Sequence, residues 1–136
     1  MPMIDVYATP GRFRDPSGLA SKLATTLMEI EGVPPIPLFT QNTAAFIHEG
    51  TLANVNGDND HVRVQVLTNA GALDRDKQLA AVRRLTEVIA DAAGDPTLAD
   101  RTWVLLTETY DGAWGIAGQA NTNEELVALA RAQLRG

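Results

Sequence analysis

The sequence predicts an α/β (α+β) fold in which two tandem β-α-β units form a four-stranded mixed sheet with two helices on one face. Three observations lead there. Short β-branched apolar runs alternate with stretches whose apolar residues recur at helical spacing. The plan then occurs twice: Gly11 and Gly71, Leu19 and Leu79, and Pro2 and Val62 lie 60 residues apart, and Glu49 and Glu108 lie 59 apart. Finally, 136 residues, 45% of them apolar, match one compact domain. Two copies of so long a unit are too few and too large for a solenoid, which leaves a pseudo-twofold single sheet.

The elements follow in order. Met3 to Ala8 reads as a strand closed by Thr9-Pro10-Gly11. Asp15 then offers an N-cap and Pro16 a first-turn proline, and Leu19, Leu23, Leu27 and Ile30 form the apolar stripe of a helix that stops at Gly32. Past the proline-rich stretch 32–37, residues 43–48 read as a second strand and 56–60 as a turn, closing a unit of about 2–57. The second unit, about 61–120, repeats this with a strand at Val62 to Thr68, a turn at Asn69-Ala70-Gly71 and a cap at Asp74. Its helix carries the stripe Leu79, Val82, Leu85 and Ile89, stops at Gly94-Asp95-Pro96, and leads to the apolar strand Trp103-Val104-Leu105-Leu106. Thr122-x-x-Glu125 is a capping box that opens a last helix over 122–135 through Leu126, Leu129 and Leu134.

Two helices cover only one face of four strands, yet a strand such as Trp103 to Leu106 is apolar on both sides. Sheets from several subunits are therefore expected to pack together in a closed homo-oligomer. Eleven basic against seventeen acidic residues give a net charge of -6, the wrong sign for a nucleic-acid partner. No run approaches the ~20 apolar residues of a bilayer span, and the first residues have neither a basic nor a long apolar leader region. A soluble cytoplasmic protein without a membrane partner is expected.

Most familiar chemistries lack their residues. There is no cysteine, which removes disulfides, thiol catalysis and zinc-thiolate sites. The only serines, Ser17 and Ser21, sit in the first helix with no histidine nearby in sequence. His48 and His61 have no metal-ligand spacing, Asp58-Asn59-Asp60 lacks the remaining offsets of a calcium loop, and Gly115 to Gly118 lacks a phosphate-loop lysine. No metal and no cofactor are expected.

Pro2 is the unusual position. Removal of Met1 would leave its nitrogen as a secondary amine. An α-amino group titrates near ~7.7 to 8.0, and burial among apolar side chains lowers that by disfavouring the cation. Held by its ring at the edge of the first strand, such a neutral amine suits abstraction of a proton from a carbon next to a carbonyl. With Met1 retained, the same nitrogen is an amide and no base.

The run Pro2-Met3-Ile4-Asp5-Val6-Tyr7-Ala8-Thr9-Pro10-Gly11-Arg12 resembles the start of the 4-oxalocrotonate tautomerase family: proline, short strand, then Gly-Arg before a helix. Residues 104–118 are similar to that family's second strand and hairpin, with Trp114 at the aromatic position. Two fused copies of the short unit are the plan of the malonate semialdehyde decarboxylase, cis-3-chloroacrylic acid dehalogenase and macrophage migration inhibitory factor branches. The resemblance implies a β-α-β-β-α-β subunit with the tautomerase fold, a homotrimer, three sites lined by neighbouring chains, and Pro2 as general base or, where its pKa is high, general acid. It also matches Arg12 to the arginine that binds a substrate carboxylate, which a guanidinium fork suits. Without the motif, Arg12 reads as an exposed helix-entry residue.

Trp114 reads either as a pocket wall that desolvates Pro2 or as an interface residue. Where dehalogenase and decarboxylase relatives carry paired arginines this chain has Asn69-Ala70-Gly71-Ala72, and Trp103 stands at a second arginine position. Loss of those cations favours plain keto-enol tautomerisation of a more apolar substrate over dehalogenation or dicarboxylate chemistry. His48 is a candidate proton shuttle or a strand histidine satisfied by its neighbours, and Tyr7 and Tyr110 read as packing residues. The expected activity is cofactor-independent tautomerisation of a small carbonyl or 2-keto acid. Hydration or decarboxylation of a small unsaturated or keto acid is the alternative, as is a silent ligand-binding trimer if Met1 stays.

Overall fold

The structure, a computed structural model, describes residues 1–136. Strands β1 (Met3–Ala8), β2 (Ala44–Glu49), β3 (Val62–Thr68) and β4 (Thr102–Glu108) form one sheet in the order β2-β1-β3-β4. β1 pairs with β2 and β3 with β4 in parallel, and the central β1-β3 pair is antiparallel. Two β-α-β units thus meet back to back in a mixed sheet. Helices α1 (Pro16–Glu31) and α3 (Arg75–Ala93) make the crossovers and pack on one face.

Local chemistry sets the ends of these elements. Asp15 Oδ1 accepts from Gly18 N at 3.0 Å and Asp74 Oδ1 from Lys77 N at 2.9 Å, so both long helices start on an aspartate cap. Both stop on a left-handed glycine, Gly32 and Gly94. The turns leaving β1 and β3 place Gly11 at φ 81° and Gly71 at φ 76°, where an L side chain is strained.

The core alternates as a strand must. Ile4 and Val6 of β1 and Val62, Val64 and Val66 of β3 point inward against Leu19, Leu23 and Leu27 of α1 and Ala81, Leu85 and Ile89 of α3. Leu85 is fully enclosed. Leu85→Ala is expected to lower unfolding free energy by about 2–5 kcal/mol, read by urea denaturation, because the rigid sheet beneath cannot collapse into the hole.

Two expected stripes need correction. In α3, Leu79 and Val82 are 50% and 39% exposed. The helix packs against both α1 and the sheet, so its inward arc is Ala81, Leu85, Ile89 and Ala90, while Leu79 and Val82 overhang Val104 and Leu106 of the edge strand β4. In α4 (Asn123–Arg135) only Leu126 is buried, and Leu129 and Leu134 face outward because α4 contacts the helical turn at Pro37–Thr40 and the strand at Gln119–Asn121 rather than the main sheet.

Further short elements complete the end of the sheet where the amino terminus lies. α2 (Pro37–Thr40) is a single turn whose Leu38 N donates to Gln133 Oε1 of α4 at 2.8 Å. β5 (Trp114–Ile116) and β6 (Gln119–Asn121) form a two-residue hairpin through Ala117 and Gly118, both at positive φ. That geometry favours Asn-Gly. Ala117→Asn is expected to stabilise the fold by up to about 1 kcal/mol, a small rise in Tm by calorimetry.

Candidate active site

Topology brings four chain segments to the start of β1. Because β1 and β3 are antiparallel, with Met3 opposite Leu67, the end of β3 lies beside the amino terminus. The crossover through α1 returns its last residue, Glu31, to the same end, and β4, parallel to β3, delivers the chain to the hairpin that carries Trp114. Pro2 is buried, and its carbonyl accepts from Ala44 N at 3.2 Å, which fixes the first residues against β2.

Met1 is enclosed there, 2% exposed, in an apolar cluster with Leu38, Phe39, Trp114 and Leu126. Its ammonium donates to Asn69 Oδ1 at 3.2 Å and to Glu31 Oε1 at 3.4 Å. The Thr68 hydroxyl lies 3.4 Å from both Glu31 Oε2 and Asn69 Oδ1, so its one hydrogen serves one of them at a time. Asn69 Nδ2 donates to Asn123 Oδ1 at 2.9 Å, which orients the amide. Asn121 Nδ2 donates to the Trp114 carbonyl at 3.1 Å and locks the hairpin under the cluster.

The low-polarity surroundings act on both charges. Burial lowers the pKa of the Met1 ammonium, opposed by attraction to Glu31. Burial raises the Glu31 carboxyl, opposed by the amino terminus, the Thr68 hydroxyl and the charge of Lys77. An amine at this spot is therefore biased toward its neutral, proton-accepting form by desolvation, and Glu31 is the counterweight.

Of the residues singled out from sequence, Pro2, Asn69 and Trp114 converge here. Arg12 does not. It follows β1 at the opposite end, about 20 Å of strand away, where Nη2 donates to the Asp60 carbonyl at 3.4 Å. His48 and Trp103 also lie toward that end, on the sheet face the helices leave bare. His48 stacks on Tyr7 at 4.6 Å with Nε2 2.7 Å from Asp5 Oδ1, the ring donating because a carboxylate only accepts. Trp103 stacks on His61 at 4.6 Å and, with Tyr7, His48, Arg63 and Leu52, lines a 250 Å³ cleft distant from Pro2.

Sequence reasoning did not single out Glu31 or Thr68. One signal was present: Glu31 immediately precedes the helix-ending Gly32, where an acid faces the negative end of the helix dipole and is disfavoured unless a cation answers it.

No protein-family model matches the chain, and no curated protein matches it in sequence. Solved structures do match in shape. A fused 4-OT described as a wild-type symmetric trimer is similar with a TM-score of 0.71 at 18% identity over 88% of this chain and 94% of that one. Macrophage migration inhibitory factor from Oncomelania hupensis is similar at TM-score 0.74 and 15% identity over 99% and 96% of the two chains. N1, a member of the cis-3-chloroacrylic acid dehalogenase family, is similar at 0.69 and 14% over 98% and 99%. With its mixed four-stranded sheet and two helices on one face, the chain has the fold of the tautomerase superfamily.

Proposed function

We propose that the chain, once Met1 is removed, is a cofactor-independent tautomerase whose Pro2 amine takes a proton from the carbon next to a carbonyl and returns it at another atom. The observation that carries this reading is the enclosure of the amino terminus against Trp114, in a chamber with apolar walls and a polar floor of Glu31, Thr68 and Asn69. Desolvation biases an amine at this spot toward its unprotonated form, and the ring of Pro2 holds it still, so a substrate carbon meets a base already oriented. Methionine removal vacates the space the substrate would enter. Burial of Met1 also favours a second reading: with Met1 retained, its side chain plugs the chamber, the Pro2 nitrogen is an amide, and the protein is a silent binding trimer.

The homotrimer belongs to the same proposal. On the bare face, Phe46 and Leu105 are 50% and 47% exposed, while the polar groups among them have partners: Asp5 accepts from His48, and Arg63 donates to Gln65 and lies over the Tyr7 ring. An apolar surface whose polar groups already have partners suits burial against further copies. The fused 4-OT relatives are trimers, which supports that count. In such an assembly Arg12 would reach a Pro2 chamber only from a neighbouring protomer.

Intact mass and ultraviolet assay of enolisable carbonyl compounds on one sample test the reading. Protein lacking one methionine is expected to be active, and Pro2→Ala to lose rate by about 10²-fold or more. Equal turnover by Pro2→Ala would remove the amine from the mechanism.

A further inference from the structure

We propose that Glu31 is a positioning residue that sets the protonation of the Pro2 amine, and that by its charge it makes the chamber select uncharged carbonyl compounds over keto acids. This deepens the proposed function and rests on it.

Four observations carry the proposal. The Glu31 side chain is 3% exposed and its Oε1 lies 3.4 Å from the amino terminus, a carboxylate held where few anions are tolerated. Removal of Met1 shifts the terminal amine across Met1's own Cα and carbonyl carbon, so the Pro2 nitrogen lies within about 7 Å of the same carboxylate. Among the groups facing Glu31 from packed elements, the one further charge is Lys77, which acts on the carboxylate without bonding it. Thr68 and Asn69 of the β3 end are neutral, and Lys77 of α3 donates its 2.9 Å hydrogen bond to the Glu31 backbone carbonyl rather than to the carboxylate. The residues buried around Met1, namely Leu38, Phe39, Trp114 and Leu126, bring no cation, and the chain's own Arg12 lies at the other end of β1.

Two consequences follow from Coulomb's law in a desolvated site. An anion beside the amine stabilises its protonated form, so the amine titrates higher with Glu31 than without it. A substrate carboxylate entering the same chamber would meet Glu31 as a like charge with little water to screen it, whereas an ester of the same shape would not. Glu31 thus tunes the base and screens the ligand by one mechanism.

The test uses phenylpyruvate and its methyl ester with the processed chain, reading enol absorbance from about pH 5 to 9 and the thermal shift each compound produces. The ester is expected to exceed the acid in kcat/KM at least tenfold and to raise Tm more at equal concentration. Glu31→Gln keeps the side-chain volume and is expected to cut that preference below about threefold and to move the midpoint of the rate-pH profile down by about one unit. A purely structural glutamate would alter stability without moving either. Preference for the acid would overturn the proposal and point to a cation supplied by a neighbour, such as its Arg12. So would a Glu31→Gln profile that coincides with the parent. If Glu31→Gln does not fold, the acid-ester comparison on the unaltered chain still decides. Turnover equal in Pro2→Ala would instead sink the base assignment, and the thermal shifts would still read the selectivity of the chamber.

Discussion

Protein that begins at Pro2 will turn over enolisable carbonyl compounds, and the same protein with Met1 still attached will not. The expected difference is at least 10²-fold, the range a positioned general base supplies, because acylation converts the nitrogen from an amine to an amide with no available lone pair. The two forms should also differ in stability. Met1 is fully packed among Leu38, Phe39, Trp114 and Leu126, and its loss resembles truncation of a buried methionine, which costs about 2–5 kcal/mol when the walls cannot close. The processed form should therefore melt lower and recover part of the loss when a ligand refills the chamber, since anything that binds only the folded state stabilises it. Calorimetry of the two forms, each with and without the ester probe, reads both effects. Identical melting temperatures would mean that Met1 does not fill a chamber at all.

Leu105→Asp will yield monomers. Leu105 projects from β4 on the bare face, in line with Gln65, Asp5 and Phe46 across the sheet. An aspartate there would be buried in the assembly, and Arg63, the nearby cation, would have to leave Gln65 and the Tyr7 ring to meet it. Burying an unpaired carboxylate costs several kcal/mol, and about 3 kcal/mol already weakens association more than a hundredfold. Light scattering should show a mass near 14.6 kDa for the variant and three times that for the parent. An unchanged mass would place the subunit contact elsewhere than this face.

The sheet and its crossovers were legible because their signals are local. Asp15-Pro16 and Asp74 announce helix starts, Gly32 and Gly94 helix ends, and Gly11 and Gly71 the two equivalent turns, each through the backbone geometry the residue alone permits. The stripes of α3 and α4 were legible only in part. Apolar spacing says that a helix is amphipathic, not which arc meets a neighbour, and Leu79, Val82, Leu129 and Leu134 lie outside the arc that one protomer covers. Of the site, Pro2, Asn69 and Trp114 converge because the antiparallel pairing of β1 and β3 brings distant segments together, something no spacing along the chain reveals. Glu31 escaped notice for the same reason: an acid at a helix end becomes a site residue only when the fold lays it beside the amino terminus.

Direct titration of the Pro2 nitrogen, by ¹⁵N NMR of the processed protein labelled at proline, shows whether that nitrogen is the base. The Pro2 nitrogen is expected to titrate as an amine, with a midpoint that coincides with the midpoint of the rate-pH profile and moves down with it in Glu31→Gln. A Pro2 nitrogen that stays an amide in active protein, or that titrates far from the kinetic midpoint, would contradict that role.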